Sequence, residues 1–338
     1  LQRNKFPESI MAASAESIAI PQSDEQRARR DGRADRLFRR IVACAGVFVL
    51  ATLAGVALTT LWGGREAFAT FGFKFLVSSE WDTVGKQFGA LAPVYGTLVT
   101  AAIALIIAVP VSFGIALYLT EIAPTWLRSP VASAIELLAG IPSIIYGMWG
   151  LFVFVPIMGR YVNPWLNSHL GELPVVGKLF GGTQYSIGLG MLTAGIVLAI
   201  MVIPFISSVM REVFLTVPTR LKESAYALGS TTWEVAWDIV LPYTRTAVIG
   251  GVFLGLGRAL GETMAVTFVL GNVHRLSLSL LDPGNSIAAT IANEFAEADS
   301  EIFRSSLIAL AFLLFVVTFI VLAIAKLMLR QMEKKEGK

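Results

Sequence analysis

The stretch Thr246-Ala247-Val248-Ile249-Gly250-Gly251-Val252-Phe253-Leu254-Gly255-Leu256-Gly257-Arg258-Ala259-Leu260-Gly261-Glu262-Thr263-Met264-Ala265-Val266-Thr267-Phe268-Val269-Leu270-Gly271-Asn272-Val273 decides how the whole chain is read. It is long enough to cross a bilayer core, which takes roughly 20 mostly apolar residues, yet it carries Arg258 and Glu262. Five other stretches reach that length without a charge: 41–61, 90–120, 137–159, 185–210 and 305–325. If the charged stretch also crosses, there are six spans and both termini lie on one side. The expected fold is an all-α integral membrane protein.

Composition points the same way. The 338 residues are 55% hydrophobic and 15% charged, with a mean hydropathy of +0.69, against about 25% charged in soluble domains. That excludes an ordinary soluble enzyme. Cys44 is the sole cysteine, so no disulfide forms within the chain. A net charge of +3 is too balanced for a nucleic-acid binder.

Lysine and arginine choose the side. The segment 1–40 holds nine, the loop near 121–131 one, the loop 211–245 four and the tail from Lys326 five, while 63–89, 160–184 and 274–304 hold three, two and two. Positive residues concentrate on the cytoplasmic side, so both termini of this multi-pass protein are expected inside. Residues 1–40 read as a polar, disordered tail, 41–330 as the membrane domain and 331–338 as a short inner tail. No apolar region lies early enough for a cleavable signal peptide. Leu1 is not methionine, and Met11 is an alternative start. In the outer loops, Phe68, Phe71, Phe73, Phe75, Trp81, Phe88, Tyr161 and Trp165 read either as an interfacial aromatic belt or as a surface that docks an external protein partner.

Several chemistries are missing. Gly85-Lys86, Gly177-Lys178 and Gly337-Lys338 are not followed by Ser or Thr, so there is no nucleotide-binding P-loop. The glycines around 255–261 have the wrong spacing for a dinucleotide fingerprint. His169 and His274 stand alone in sequence, which argues against a metal centre or a catalytic site.

Three motifs remain. In the inner loop 212–245, apolar residues recur at helical spacing on either side of Gly229, predicting two short helices with a glycine turn; Pro242 is expected to stop the second. In the charged stretch, residues 251, 255, 258 and 262 share one helical face. Gly251/Gly255 and Gly257/Gly261 are small-residue pairs that let helices approach closely. At about 1.5 Å per residue from Val248, Arg258 lies roughly 15 Å deep, near the midplane. A charge there must face protein or water. It reads either as half of a structural ion pair with Glu262 or as a fork of donors for an anion whose charge Glu262 offsets. The third motif is Leu138-Ala139-Gly140-Ile141-Pro142-Ser143, where Pro142 frees a carbonyl that Ser143 or water would satisfy.

The inner loop resembles the coupling loop of ABC-transporter permeases: Glu223, Ala225, Gly229, Ile239, Leu241 and Pro242 fall in register, with Ser224 in place of the usual alanine. With 138–143 and 257–265, the chain resembles the permease subunits of the bacterial high-affinity phosphate ABC importer, the PstC type rather than the PstA type. The resemblance implies a type I importer permease with a cytoplasmic coupling helix and alternating access. It implies a PstA-type second permease, two cytoplasmic ATPase subunits that bind ATP and Mg, a periplasmic phosphate-binding protein, inorganic phosphate as cargo and lipid around the spans. This chain would hold no cofactor, metal or catalytic residue. The translocation path would include Arg258, Glu262, Gly255 and Thr263. Alternatives are a permease for sulfate or molybdate, or an ATP-independent transporter or channel.

Overall fold

A computed structural model describes residues 22–174, 176–181 and 187–336. Six helices among them are long and apolar enough to cross a membrane: Asp35–Gly63, Leu91–Ile122, Ser143–Leu170, Met191–Leu215, Thr232–Leu260 and Glu301–Gln331. The number matches expectation, but the boundaries differ for identifiable reasons.

The first helix, α1, runs Gln22–Gly63, so the tail expected up to residue 40 is helical from Gln22 onward. Its Gln, Glu, Arg and Ala content favours helix, and no proline separates it from the apolar run. Residues 1–21 lie outside those described. Of the described residues, those up to Leu58 form one compact unit and those from Thr59 a second.

In the second unit, α2 (Arg65–Phe71), α3 (Lys74–Val77) and a hairpin pairing Trp81 with Phe88 lead into α4 (Leu91–Ile122). Next come α5 (Thr125–Ala139), α6 (Ser143–Leu170), α7 (Gly177–Phe180) and α8 (Met191–Leu215). The chain closes with α9 (Thr219–Ala227), α10 (Thr232–Leu260), α11 (Met264–Leu270), α12 (Ile287–Glu294) and α13 (Glu301–Glu336). The most apolar window of α8 is 61% buried, against 22–28% for the other spans of this unit, so α8 is its axis. Glycine and small residues set its contacts. A Cβ on Gly195 would stand 2.5 Å from Ile103 Cγ2 of α4, and one on Gly251 would stand 2.9 Å from Val209 Cγ1. Ser112 of α4 adds a polar tie, donating to the Ile203 carbonyl at 3.1 Å.

The segment 63–89 is not a loose belt. Phe75 and Phe88 are buried with Ala67, Ile287, Phe303 and Leu307 in a second apolar cluster. Phe88 stacks on Phe303 at 5.1 Å, and Ser305 bridges the Ala67 amide and the Gly63 carbonyl. Of the outer-loop aromatics, Phe73, Tyr161 and Trp165 are exposed. His274, expected to stand alone, stacks on Trp81 at 4.8 Å, and both donate to the Glu294 carboxylate, at 2.6 and 2.7 Å.

Candidate functional site

The charged stretch crosses as two helices, not one. Helix α10 ends at Leu260, Gly261 to Thr263 form a break, and α11 resumes at Met264. The break removes Glu262 from the face that carries Gly251, Gly255 and Arg258. Its carboxylate instead accepts from the Ala265 amide at 3.2 Å, capping α11. No ion pair joins Arg258 and Glu262 among the described residues. An i,i+4 pair needs an unbroken helix between its members, and Gly261 interrupts it.

Arg258 takes a different neighbour. Its guanidinium carbon lies 5.5 Å from the Phe205 ring centroid, within cation–π range. Its Nε is buried without a hydrogen-bond partner. Phe205 is near the middle of α8, which runs from 191 to 215, whereas Arg258 lies two residues before the end of α10. Of the two small-residue pairs, Gly251/Gly255 makes the close approach, a Cβ on Gly255 standing 2.5 Å from Ile206 Cδ1. Gly257 and Gly261 do not: an added Cβ would meet its nearest neighbours at 3.8 and 3.6 Å. Gly261 serves as the break instead. Thr263 precedes α11 and its carbonyl accepts from Thr267 Oγ1 at 2.7 Å. Gly261 and Met264 are exposed while Glu262 and Thr263 are half-buried, so this chain alone does not enclose the charges.

A second break adjoins the first. The stretch 137–159 is not one helix: α5 ends at Ala139, Gly140 caps it, and α6 starts at Ser143 after Pro142. Proline disfavours helical geometry at the residue before it, here Ile141. The Leu138 carbonyl is satisfied by the Tyr146 hydroxyl at 2.9 Å and the Ile141 amide at 3.2 Å, not by Ser143. One turn on, a Cβ at Gly147 would stand 3.0 Å from both Ala265 Cα and the Met264 carbonyl. The fold thus packs the two intramembrane motifs, far apart in sequence, against each other.

The loop 212–245 forms the first of the two short helices expected, α9; the second is not short but is the start of the long α10. Gly229 turns between them at φ +91°, a conformation L side chains rarely adopt. Thr231 then caps α10 in a reciprocal box: the Glu234 amide donates to Thr231 Oγ1 at 3.3 Å, and the Thr231 amide donates to the Glu234 carboxylate at 2.7 Å. Thr231-Thr232-Trp233-Glu234 is the sequence signature of such a box, and it marks the start of α10. Pro242 does not stop the helix. The widened turns over Val235–Val240 lead straight into Leu241–Leu260. Such π-type turns change the carbonyl pairing just where a proline ring would clash. Of the motif residues, Ala225 is buried, Ile239 and Leu241 are half-buried, and Glu223, Ser224, Gly229 and Pro242 are exposed. Leu228, Trp233 and Trp237 present apolar surface beside them.

One contact there has no local sequence signal, because its partners are 101 residues apart. Lys222 of α9 and Glu121 at the end of α4 form an ion pair at 2.5 Å, with side chains 15% and 5% exposed. No cluster of three His, Cys, Asp or Glu side chains suited to a metal occurs among the described residues.

Six helices long and apolar enough to cross a membrane, with Arg258 beside paired helix breaks, define a helical membrane protein. Residues 111–334 match the family described as binding-protein-dependent transport system inner membrane component. The chain is 66% identical over 308 residues to the phosphate transport system permease protein PstC of Xylella fastidiosa strain 9a5c, covering 91% of this chain and 94% of that one. It is 51% identical over 328 residues to the protein of the same name from Mesorhizobium japonicum, covering 97% and 100%. Among solved structures, a bacterial alginate ABC transporter in complex with an alginate pentasaccharide-bound periplasmic protein shares its fold, with TM-score 0.57 and 18% identity over 90% of this chain and 97% of that one. The chain belongs to the PstC-type permeases of the binding-protein-dependent transport system inner membrane components, a multi-pass inner-membrane family.

Proposed function

We propose that this chain is the permease subunit through which an ATP-driven importer moves inorganic phosphate across the inner membrane by alternating access. The names of its relatives support the cargo. The observation that carries the mechanism is Arg258: a planar fork of donors beside the paired breaks, backed by Phe205 and not neutralised by Glu262. Arginine matches phosphate oxygens in a bidentate fashion, and a dehydrating anion needs such donors. Glu262 and Thr263 would follow Arg258 along the path, with Glu262 also fixing the start of α11, and Gly255 would set the spacing to α8 behind it.

The exposed break is the surface we assign to a PstA-type second permease, the two closing a path around Arg258. Leu228, Trp233 and Trp237 would seat in a groove on one of two cytoplasmic ATPase subunits, which bind ATP and Mg; this chain carries no nucleotide site of its own and is not an enzyme. The cleft of about 650 Å³ bordered by Trp81, Lys86, His274, Glu294 and Phe303 lies on the face that would meet a periplasmic phosphate-binding protein. Both termini would lie inside, with lipid around the apolar spans.

Uptake of radiolabelled phosphate by the full complex, challenged with excess unlabelled phosphate, sulfate or molybdate, tests the cargo. Suppression by phosphate alone is expected, and equal suppression by sulfate or molybdate would make the protein a general oxyanion permease. Co-purification of an ATPase chain separates an importer from an ATP-independent channel, which would bring none.

A further inference from the structure

Helix α9 turns most of its side chains outward. Across 220–229, only Lys222 and Ala225 face inward; Leu221, Glu223, Ser224, Tyr226, Ala227 and Leu228 are exposed. Ala225 contributes one methyl group to the inner apolar cluster. Helix α9 also packs against the Val235–Val240 turns of α10, and its charged tie to α4 is the Lys222 ammonium on the Glu121 carboxylate. Methyl contacts slide at small cost, because dispersion is weak per atom pair and non-directional. A charge pair shielded from water behaves differently: separating it exposes each charge to an environment that does not solvate it.

The position of Glu121 gives this pair reach. It lies in the widened turn Tyr118–Ile122 that ends α4, which the Ala123 amide closes onto the Tyr118 carbonyl at 2.7 Å. Helix α4 packs along α8, and α8 carries the Phe205 ring beneath Arg258. Rigid packed helices with discrete arrangements are what carry energetic coupling between distant sites.

We infer that the Glu121–Lys222 pair is the fastening by which movement of α9 is passed to α4, so that both are positioning residues for coupled transport. This rests on the function proposed above and names a residue pair outside the coupling motif. Pulling α9 moves Glu121, and with it the inner end of α4. Without the pair, α9 follows the ATPase while α4 lags, and ATP is hydrolysed without transport.

The test reconstitutes the full complex in vesicles and measures ATP hydrolysed per phosphate taken up, at equal amounts of assembled protein. Glu121→Gln and Lys222→Met are each expected to raise that ratio at least about fivefold, the low end of typical coupling energies. Lys222→Arg and the exchanged pair Glu121→Lys with Lys222→Glu should return it close to wild type. If the single variants assemble poorly, Glu121→Cys with Lys222→Cys in a Cys44→Ser background, with and without a short thiol-reactive cross-linker, decides instead: coupling should appear only when the linker is in place. A ratio unchanged in every assembled variant, or the same with and without the linker, would overturn the inference and leave the pair a fold contact. A wild-type complex that moves no phosphate would instead refute the function itself.

Discussion

Arg258 rests on an aromatic ring, not on the carboxylate four residues along. That changes what its variants should do. Were the two charges a structural pair, removing either would strand the other, the costly case for a buried pair. With Glu262 capping α11, Glu262→Gln keeps an acceptor for the Ala265 amide, so assembly should be unchanged while uptake slows, readable by comparing complex yield with transport rate. Arg258→Lys keeps the charge and loses the planar fork; an expected loss of about tenfold in uptake matches one charged hydrogen bond. At this scale the sequence was partly legible. Arg258 stood out because a charge in an apolar run has few explanations. The role of Glu262 was not legible, since residue spacing implies a shared face only where the helix is known to continue.

At the scale of elements, breaks matter more than spans. The break at Gly140–Pro142 carried a proline as a signal, whereas Gly261–Thr263 did not, and only the end of α10 at Leu260 and the restart at Met264 show it. Pro242 misled in the opposite direction, because the widened turns over Val235–Val240 absorb it. The Gly229 turn was readable from glycine alone, and φ +91° supplies the reason. Space is not the obstacle there, since nothing lies within 4 Å of an added Cβ; backbone strain is. Gly229→Val should cost about 1–3 kcal/mol locally and tilt α9 against α10. Membrane insertion should persist while phosphate uptake falls and ATP hydrolysis continues. Normal uptake by Gly229→Val would show that the turn is not the ATPase contact.

The whole molecule was legible in its number of spans, because apolar length has one physical reading in a bilayer. Its outer cap was not, because buried aromatics such as Phe75 and Phe88 have the composition of an interfacial belt. Orientation rests on charge counts, and reporter fusions check it. Those placed after Val84, Trp165 and Phe295 should report the periplasm, and those after Trp126, Leu228 and Gln331 the cytoplasm; a cytoplasmic signal at Phe295 would mean that the charged stretch does not cross. The account as a whole turns on one claim: the anion passes Arg258. Radiolabelled phosphate uptake by complexes of equal assembled amount, carrying Arg258→Gln or the double change Arg258→Leu with Glu262→Leu, tests it most directly. The account predicts that uptake falls at least about tenfold in both, the worth of a charged hydrogen bond lost at the barrier. Uptake at the wild-type rate by either protein would contradict it.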